Sequence, residues 1–161
     1  MGSTVSLLAL VQYPDKMKTL IVFGFWMDLE KKIPEIEFGD PELKINTAKD
    51  AASDFITPGS ISQRAVDRYV QMALSADPIR VDWNMLDQFN SIDPSKIDLP
   101  VLILQGEFDP IAPTPIQARL FTRIKTSHKI WAVIPGGDHA AFMETPRSYF
   151  IKVLSQFCTQ P

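Results

Sequence analysis

The sequence predicts an α/β protein in which a parallel sheet is covered by helices and interrupted by a helical insertion. The first observation is a near-continuous apolar run at residues 17–25, which is typical of a strand covered on both faces. The second is an alternation of strand and helix patterns with short connections over residues 99–161. The third is a change in composition over residues 29–98, where prolines interrupt short helical stretches that are rich in charged residues. Three units follow, with boundaries at 1–28, 29–98 and 99–161.

The first unit consists of one helix and one strand. Residues 3–13 are apolar on nearly every side, which predicts a helix packed deep within a larger body, and Pro14 ends it. The run at 17–25, M-K-T-L-I-V-F-G-F, then predicts an interior parallel strand. In the insertion, residues 60–76 carry apolar side chains at helical spacing and predict its clearest helix.

The last unit reads as strand, helix, strand, helix. The predicted elements lie at residues 101–105, 114–124, 130–134 and 145–157. Strands joined by helical crossovers of the usual right hand form a parallel sheet with helices on both faces. We therefore expect three parallel strands in all, counting the strand of the first unit.

Composition excludes several functional classes. The chain has 161 residues, a net charge of -3 and no basic block that would indicate a nucleic acid or an anionic membrane as partner. A small neutral or apolar partner fits better. Two histidines and the single Cys158 do not suggest a zinc site, so we expect no metal or other cofactor. Without an apolar run of about twenty residues or a basic leader, we expect a cytoplasmic protein with no membrane span.

An acid and a base follow two of the predicted strands. The residues G-E-F-D-P-I-A-P follow strand 101–105 and contain Asp109, while P-G-G-D-H follows strand 130–134 and contains His139. Because parallel strands end at the same sheet edge, the two side chains can be neighbours. An aspartate beside an imidazole fixes its tautomer and stabilises the imidazolium during proton transfer. The alternative is a capping aspartate and a loop histidine with a structural role.

These segments resemble a known superfamily. G-E-F-D-x-x-x-P after a strand, followed by G-G-D-H-A-A-F-M-E-T-P-R-S-Y-F before the last helix, is similar to the final two sheet strands of α/β-hydrolases. In that superfamily the acid and the histidine follow the nucleophile in chain order. The resemblance implies that Asp109 is the acid and His139 the base of a catalytic triad.

The N-terminal residues carry a second resemblance. Y-P-D-K-M-K-T-L-I-V is similar to the turn and strand that follow the nucleophile helix, and Met1 and Gly2 match the last two positions of G-x-S-x-G. The resemblance implies the C-terminal part of an α/β-hydrolase fold, with the nucleophile immediately before Met1. Ser3 and Ser6 lie inside the predicted helix, away from such an elbow. The strand at 17–25 would then lack a neighbour, which predicts self-association or pairing with an N-terminal chain.

Further residues are candidates for the site. Asp28 follows the first strand and is an alternative acid, whereas Asp138 is expected to cap its loop and His128 to lie at the opposite sheet edge. The insertion occupies the place of the superfamily's cap, which closes over the crevice. Its side chains and those at the first strand end could line a pocket for a small apolar or acyl substrate: Trp26, Met27, Trp83 and Met85.

Three functions remain open at this point. The first is a serine hydrolase that cleaves esters or thioesters by acyl transfer, to which this chain contributes acid, base and cap. The second is a binding or assembly module on a truncated hydrolase scaffold that has lost catalysis. The third is a dehalogenase or epoxide hydrolase, which the same frame would become if the nucleophile were an aspartate.

Overall fold

Helices and short strands alternate through the computed structural model, which describes residues 1–35, 42–81 and 85–159. In chain order the elements are α1 (Gly2–Gln12), β1 (Leu20–Phe23), β2 (Leu43–Ile45), α2 (Ala48–Ala51), α3 (Gln63–Ala76), β3 (Ile79–Val81), β4 (Val101–Gly106), α4 (Thr114–Arg123), β5 (Lys129–Ile134) and α5 (Arg147–Cys158). Single 3-10 turns or short 3-10 helices lie at Pro14–Lys16, Leu86–Ser91 and Pro94–Lys96.

The central sheet has three parallel strands in the order β1-β4-β5. Val22 lies opposite Ile103, which in turn lies opposite Trp131, so the carboxyl ends of the three strands point to the same edge of the sheet. This confirms the predicted parallel sheet of three strands. The middle strand β4 is buried along its whole length, as its continuous apolar sequence requires.

Side chains alternate between the two faces of the sheet, and each face has its own core. On one face Val22 and Ile103 pack with Leu7 of α1 and Leu120 of α4. On the other face the neighbouring residues of the same strands pack against α5, in a cluster that contains Leu102, Leu104, Ile134, Phe150 and Phe157. Because successive strand residues point to opposite faces, this pattern requires helices on both sides. The predicted layering is therefore confirmed.

The outer edge of β1, the edge that faces away from β4, is partly covered by α1. The N–H of Gly24 donates to Leu104 across the sheet, so the adjacent Phe23 directs its backbone groups outward. The Ser3 hydroxyl accepts from the N–H of Phe23 at 2.9 Å and donates to its carbonyl at 2.6 Å. Ser3 thus replaces a strand partner at this one position. Among the described residues, no strand pairs with the outer edge.

The insertion is not wholly helical, which corrects the sequence-based expectation. Besides α2 and α3 it contains a two-stranded antiparallel sheet, in which Leu43 of β2 lies opposite Val81 of β3. Each strand has three residues, and those of β2 are exposed, so neither has the alternation that identifies a strand in sequence. Helix α3 begins at Gln63 instead of residue 60, because Ser62 caps it by accepting the N–H of Ala65.

Within the described ranges, none of the helices has the length and apolar content needed to cross a membrane.

Candidate active site

Asp109 and His139 meet at the carboxyl edge of the sheet. Asp109 lies in the turn that follows β4, and His139 lies in the loop that follows β5. Oδ2 of Asp109 is 2.8 Å from Nδ1 of His139. The two residues are thirty positions apart in the chain, and adjacent parallel strands bring them together. The structure therefore places the predicted acid and base in direct contact.

The carboxylate of Asp109 is held by its own loop. Its side chain is buried, and Oδ1 accepts the N–H of Ile111 at 2.9 Å and that of Ala112 at 3.1 Å. One oxygen is thus occupied by two backbone donors while the other faces His139. These two amides fix the position of the carboxylate, so its other oxygen is held toward the imidazole.

The imidazole of His139 is oriented by this contact. The pKa of His139 is raised, first by the hydrogen bond to Asp109, against the opposing effect of burial, and then by the negative charges of Asp109 and Asp54. Because an ionised carboxylate can only accept, Nδ1 carries the proton and Nε2 of the neutral ring is the acceptor. Nε2 has no hydrogen-bond partner among the described residues. The side chain is 20% exposed, so the imidazole is partly accessible to solvent.

Two residues at the end of β1, Phe23 and Gly24, pack against the imidazole of His139. The Phe23 ring stacks on the imidazole with ring centroids 6.2 Å apart and planes inclined by 24°. The next residue, Gly24, has φ +63, and a Cβ there would lie 2.7 Å from Cε1 of His139 and 3.0 Å from Nδ1. Only glycine tolerates both the left-handed backbone and this close approach. Gly24 is a site residue that the sequence analysis missed, although its place at the end of a buried strand was visible.

Asp28, the alternative acid, lies against helix α4. It forms ion pairs with Arg119 of α4 at 3.3 Å and with Lys31 at 3.6 Å. The pKa of Asp28 is lowered, chiefly by the N–H of Glu30 and further by these cations. Its carboxylate is therefore engaged with α4, while His139 is paired with Asp109. Of these two carboxylates, that of Asp109 contacts the imidazole.

The four predicted pocket residues have different surroundings. Trp26 is half-buried and packs against the main core, and Met85 is exposed. Met27 is only 3% exposed and belongs to the core itself. Its position after a strand suggested a pocket wall, but its side chain turns inward and presents almost no surface to a ligand. Trp83 lies outside the described residues.

Asp138 and His128, the last two residues considered from the sequence, lie where the sequence analysis expected them. Asp138 accepts the N–H of Ala140 at 2.9 Å and so caps its own loop. His128 is exposed, precedes β5 at the other edge of the sheet and packs against Phe157. It has no role beside Asp109.

A family comparison agrees with this geometry. The model of the family described as serine aminopeptidase, S33, matches residues 1–146. The chain belongs to this family. S33 proteins are α/β-hydrolases, so the chain is an α/β-hydrolase by fold and by family. A search of curated proteins gave no significant match.

Solved structures show the same fold. The S33 chain is similar to a monoacylglycerol lipase from Paleococcus ferrophilus, with 17% identity and a TM-score of 0.66 over 96% of this chain and 64% of that one. A thermophilic esterase gives 19% identity and a TM-score of 0.67 over 96% and 61%. A serine hydrolase involved in carbazole degradation gives 16% identity and a TM-score of 0.60 over 98% and 60%. The chain thus spans less than two thirds of the length of these structures.

Proposed function

We propose that this S33 chain supplies the acid, the base and the cap of a serine hydrolase that cleaves esters or thioesters by acyl transfer. The observation that carries the proposal is the 2.8 Å contact between Asp109 and Nδ1 of His139, which leaves Nε2 of the partly exposed imidazole without a partner among the described residues. Asp109 holds the imidazole in the tautomer that can accept a proton at Nε2. His139 takes the proton of the nucleophile and then donates it to the leaving group.

The nucleophile in this proposal is a serine from a polypeptide segment outside the chain. Ser3 is bound to the backbone of Phe23, and Ser60 to the carboxyl of Glu144, so both of these hydroxyls have other partners. Since the chain spans 64% of the lipase structure, further polypeptide in the relatives has no counterpart here. We place the contact with that segment, or with a second copy, at the outer edge of β1.

The substrate in this proposal carries an apolar acyl group. The loops that bear the acid and the base also expose aromatic side chains: Phe108 is 56% and Phe142 is 44% exposed. Phe142 packs edge-on against Phe23, next to the imidazole. An exposed apolar surface of this kind beside a polar pair is the usual composition of a small-molecule site. Trp26 and Met85 are proposed as its further walls.

The test compares two proteins: the 161-residue chain, and the same chain preceded by the residues encoded immediately upstream of Met1. We expect the first to hydrolyse p-nitrophenyl butyrate no faster than its His139→Ala variant, because acyl transfer needs the nucleophile. We expect the second to turn over and to be blocked by a fluorophosphonate. In the second protein Asp109→Asn should lower kcat by about 10⁴-fold, while Asp28→Asn, with the same change of charge, should not.

Each other outcome rejects a defined part of the proposal. Fluorophosphonate-sensitive turnover by the shorter chain would place the nucleophile within it. An inactive longer chain without G-x-S-x-G would favour a binding module. A longer chain that has an aspartate at the nucleophile position and opens epoxides or haloalkanes would change the reaction class. Loss of activity in Asp28→Asn but not in Asp109→Asn would exchange the acid.

A further inference from the structure

Two buried carboxyls outside the acid and base pair lie in the loop of His139. Asp138 is fully buried and Glu144 is 3% exposed. Buried carboxyls are retained only where hydrogen bonds satisfy them, so their partners show what they hold. In both cases one oxygen of the carboxyl binds the loop itself and the other binds the insertion.

Asp138 joins the insertion to the residue after His139. Its Oδ2 accepts the N–H of Ile56 at 3.2 Å and that of Thr57 at 2.6 Å, while Oδ1 accepts the N–H of Ala140 at 2.9 Å. Burial opposes the charged form, but the amides of Ala140 and Thr57 together hold the pKa of Asp138 below its ordinary value. One carboxylate thus binds two chain segments that are more than eighty residues apart.

Glu144 makes a second connection to the same segment. Its Oε2 accepts the N–H of Asp138 at 2.9 Å, and its Oε1 is 2.5 Å from the hydroxyl of Ser60. The carbonyl of Ser60 accepts from the N–H and the hydroxyl of Thr145, at 2.9 and 2.8 Å. Residues 56–60, which we name the cap strap, are therefore fastened to both ends of the loop 138–145 that contains His139.

We propose that Asp138, Glu144 and Ser60 form a latch through which the cap strap positions the imidazole of His139. These are positioning residues, since they act through the backbone on either side of His139. The inference rests on the proposed role of His139 as the base. It links movement of the cap to catalysis, because a displaced strap releases the loop and weakens the contact between His139 and Asp109.

The first test uses variants that separate charge from hydrogen bonding. Ser60→Ala removes one hydrogen bond and no charge, and the exposed Ser91→Ala is its matched control. Glu144→Ala and Glu144→Gln remove the same ionisable group, but glutamine can still accept from Asp138 and donate to Ser60. With only two histidines in the chain, imidazole NMR resolves His139 with His128 as an internal reference.

We expect Ser60→Ala and Glu144→Ala to lower the pKa of His139 toward 6.5, because the hydrogen bond to Asp109 loosens. Glu144→Gln should restore the wild-type titration, and Ser91→Ala should not change it. The amides of Ile56 and Thr57 should exchange about tenfold faster in Asp138→Ala, since they lose their acceptor.

An unchanged His139 titration in Ser60→Ala and Glu144→Ala overturns the proposal, whether or not the strap amides exchange faster, because the cluster would then only stabilise the loop. A Glu144→Gln variant that behaves like Glu144→Ala also overturns it. Neither readout depends on ester hydrolysis. Failure of the proposed function would appear as missing turnover with these NMR results intact, so the two failures are distinguishable.

Discussion

Replacing Gly24 by alanine perturbs the contact between Asp109 and His139 without substituting either of these residues. The backbone conformation at φ +63 costs a residue with a Cβ about 1–2 kcal/mol. The added Cβ would also lie 2.7 Å from Cε1 of His139, so the imidazole must move. If the ring loses the charge-assisted hydrogen bond to Asp109, about 1.5–3 kcal/mol more is lost. We therefore expect Gly24→Ala to destabilise the chain by about 2.5–5 kcal/mol in all.

Gly136→Ala is the matched control for this variant. Gly136 has φ +71 in the loop of His139, but a Cβ there would meet no atom within 4 Å. Urea unfolding should show only the backbone contribution for Gly136→Ala, about 1–2 kcal/mol. Imidazole NMR should show a lowered pKa of His139 in Gly24→Ala alone. Equal destabilisation and an unchanged His139 titration in both variants would refute the supporting role of Gly24.

Four further variants test the electrostatics and the open edge. Asp109→Asn should lower the pKa of His139 toward 6.5 in an NMR titration. Asp54→Asn should lower this pKa less, because the hydrogen bond to Asp109 outweighs both Coulombic contributions. A larger effect of Asp54→Asn would contradict this order. Burial raises the pKa of Glu144 above 4.5, so the folded chain binds its proton more tightly, and wild-type stability should fall as pH rises through that raised pKa. Glu144→Gln should lack this decline in urea unfolding across pH, and a parallel decline would refute the assignment. Ser3→Ala exposes the backbone of Phe23 and should increase self-association in light scattering, whereas a monomer at high concentration would contradict an accessible edge.

The sheet and the acid and base pair were predictable because their signals are local. The apolar runs that predict β1 and β4 each consist of a few consecutive residues. Because the strands are parallel, their carboxyl ends lie at one edge of the sheet. Asp109 and His139 each follow such a strand directly, so topology alone brings them together. That the contact is 2.8 Å long and leaves Nε2 free required the structure.

The latch and the pocket were not predictable in the same way. The partners of Asp138 and Glu144 in the insertion lie more than eighty residues away, in a segment with no periodic pattern that would orient it. Met27 illustrates a different limit: a residue beyond a strand end can face either the site or the core, and its position in the sequence does not decide which. Sequence position therefore located the site, while long-range hydrogen bonds and backbone turns arranged it.

The orientation of the imidazole indicates from which side a nucleophile would approach. Around the ring, Nδ1 faces Asp109 beyond β4, and Cε1, the next atom, faces Gly24 at the end of β1. Nε2 follows Cε1, so it lies on the side away from Asp109. The outer edge of β1 begins on that side, and the first turn of α1 reaches it through the contact between Ser3 and Phe23. We therefore propose that a strand paired along this edge brings the nucleophile to the Nε2 side of the imidazole, so the edge and the free nitrogen belong to one proposal.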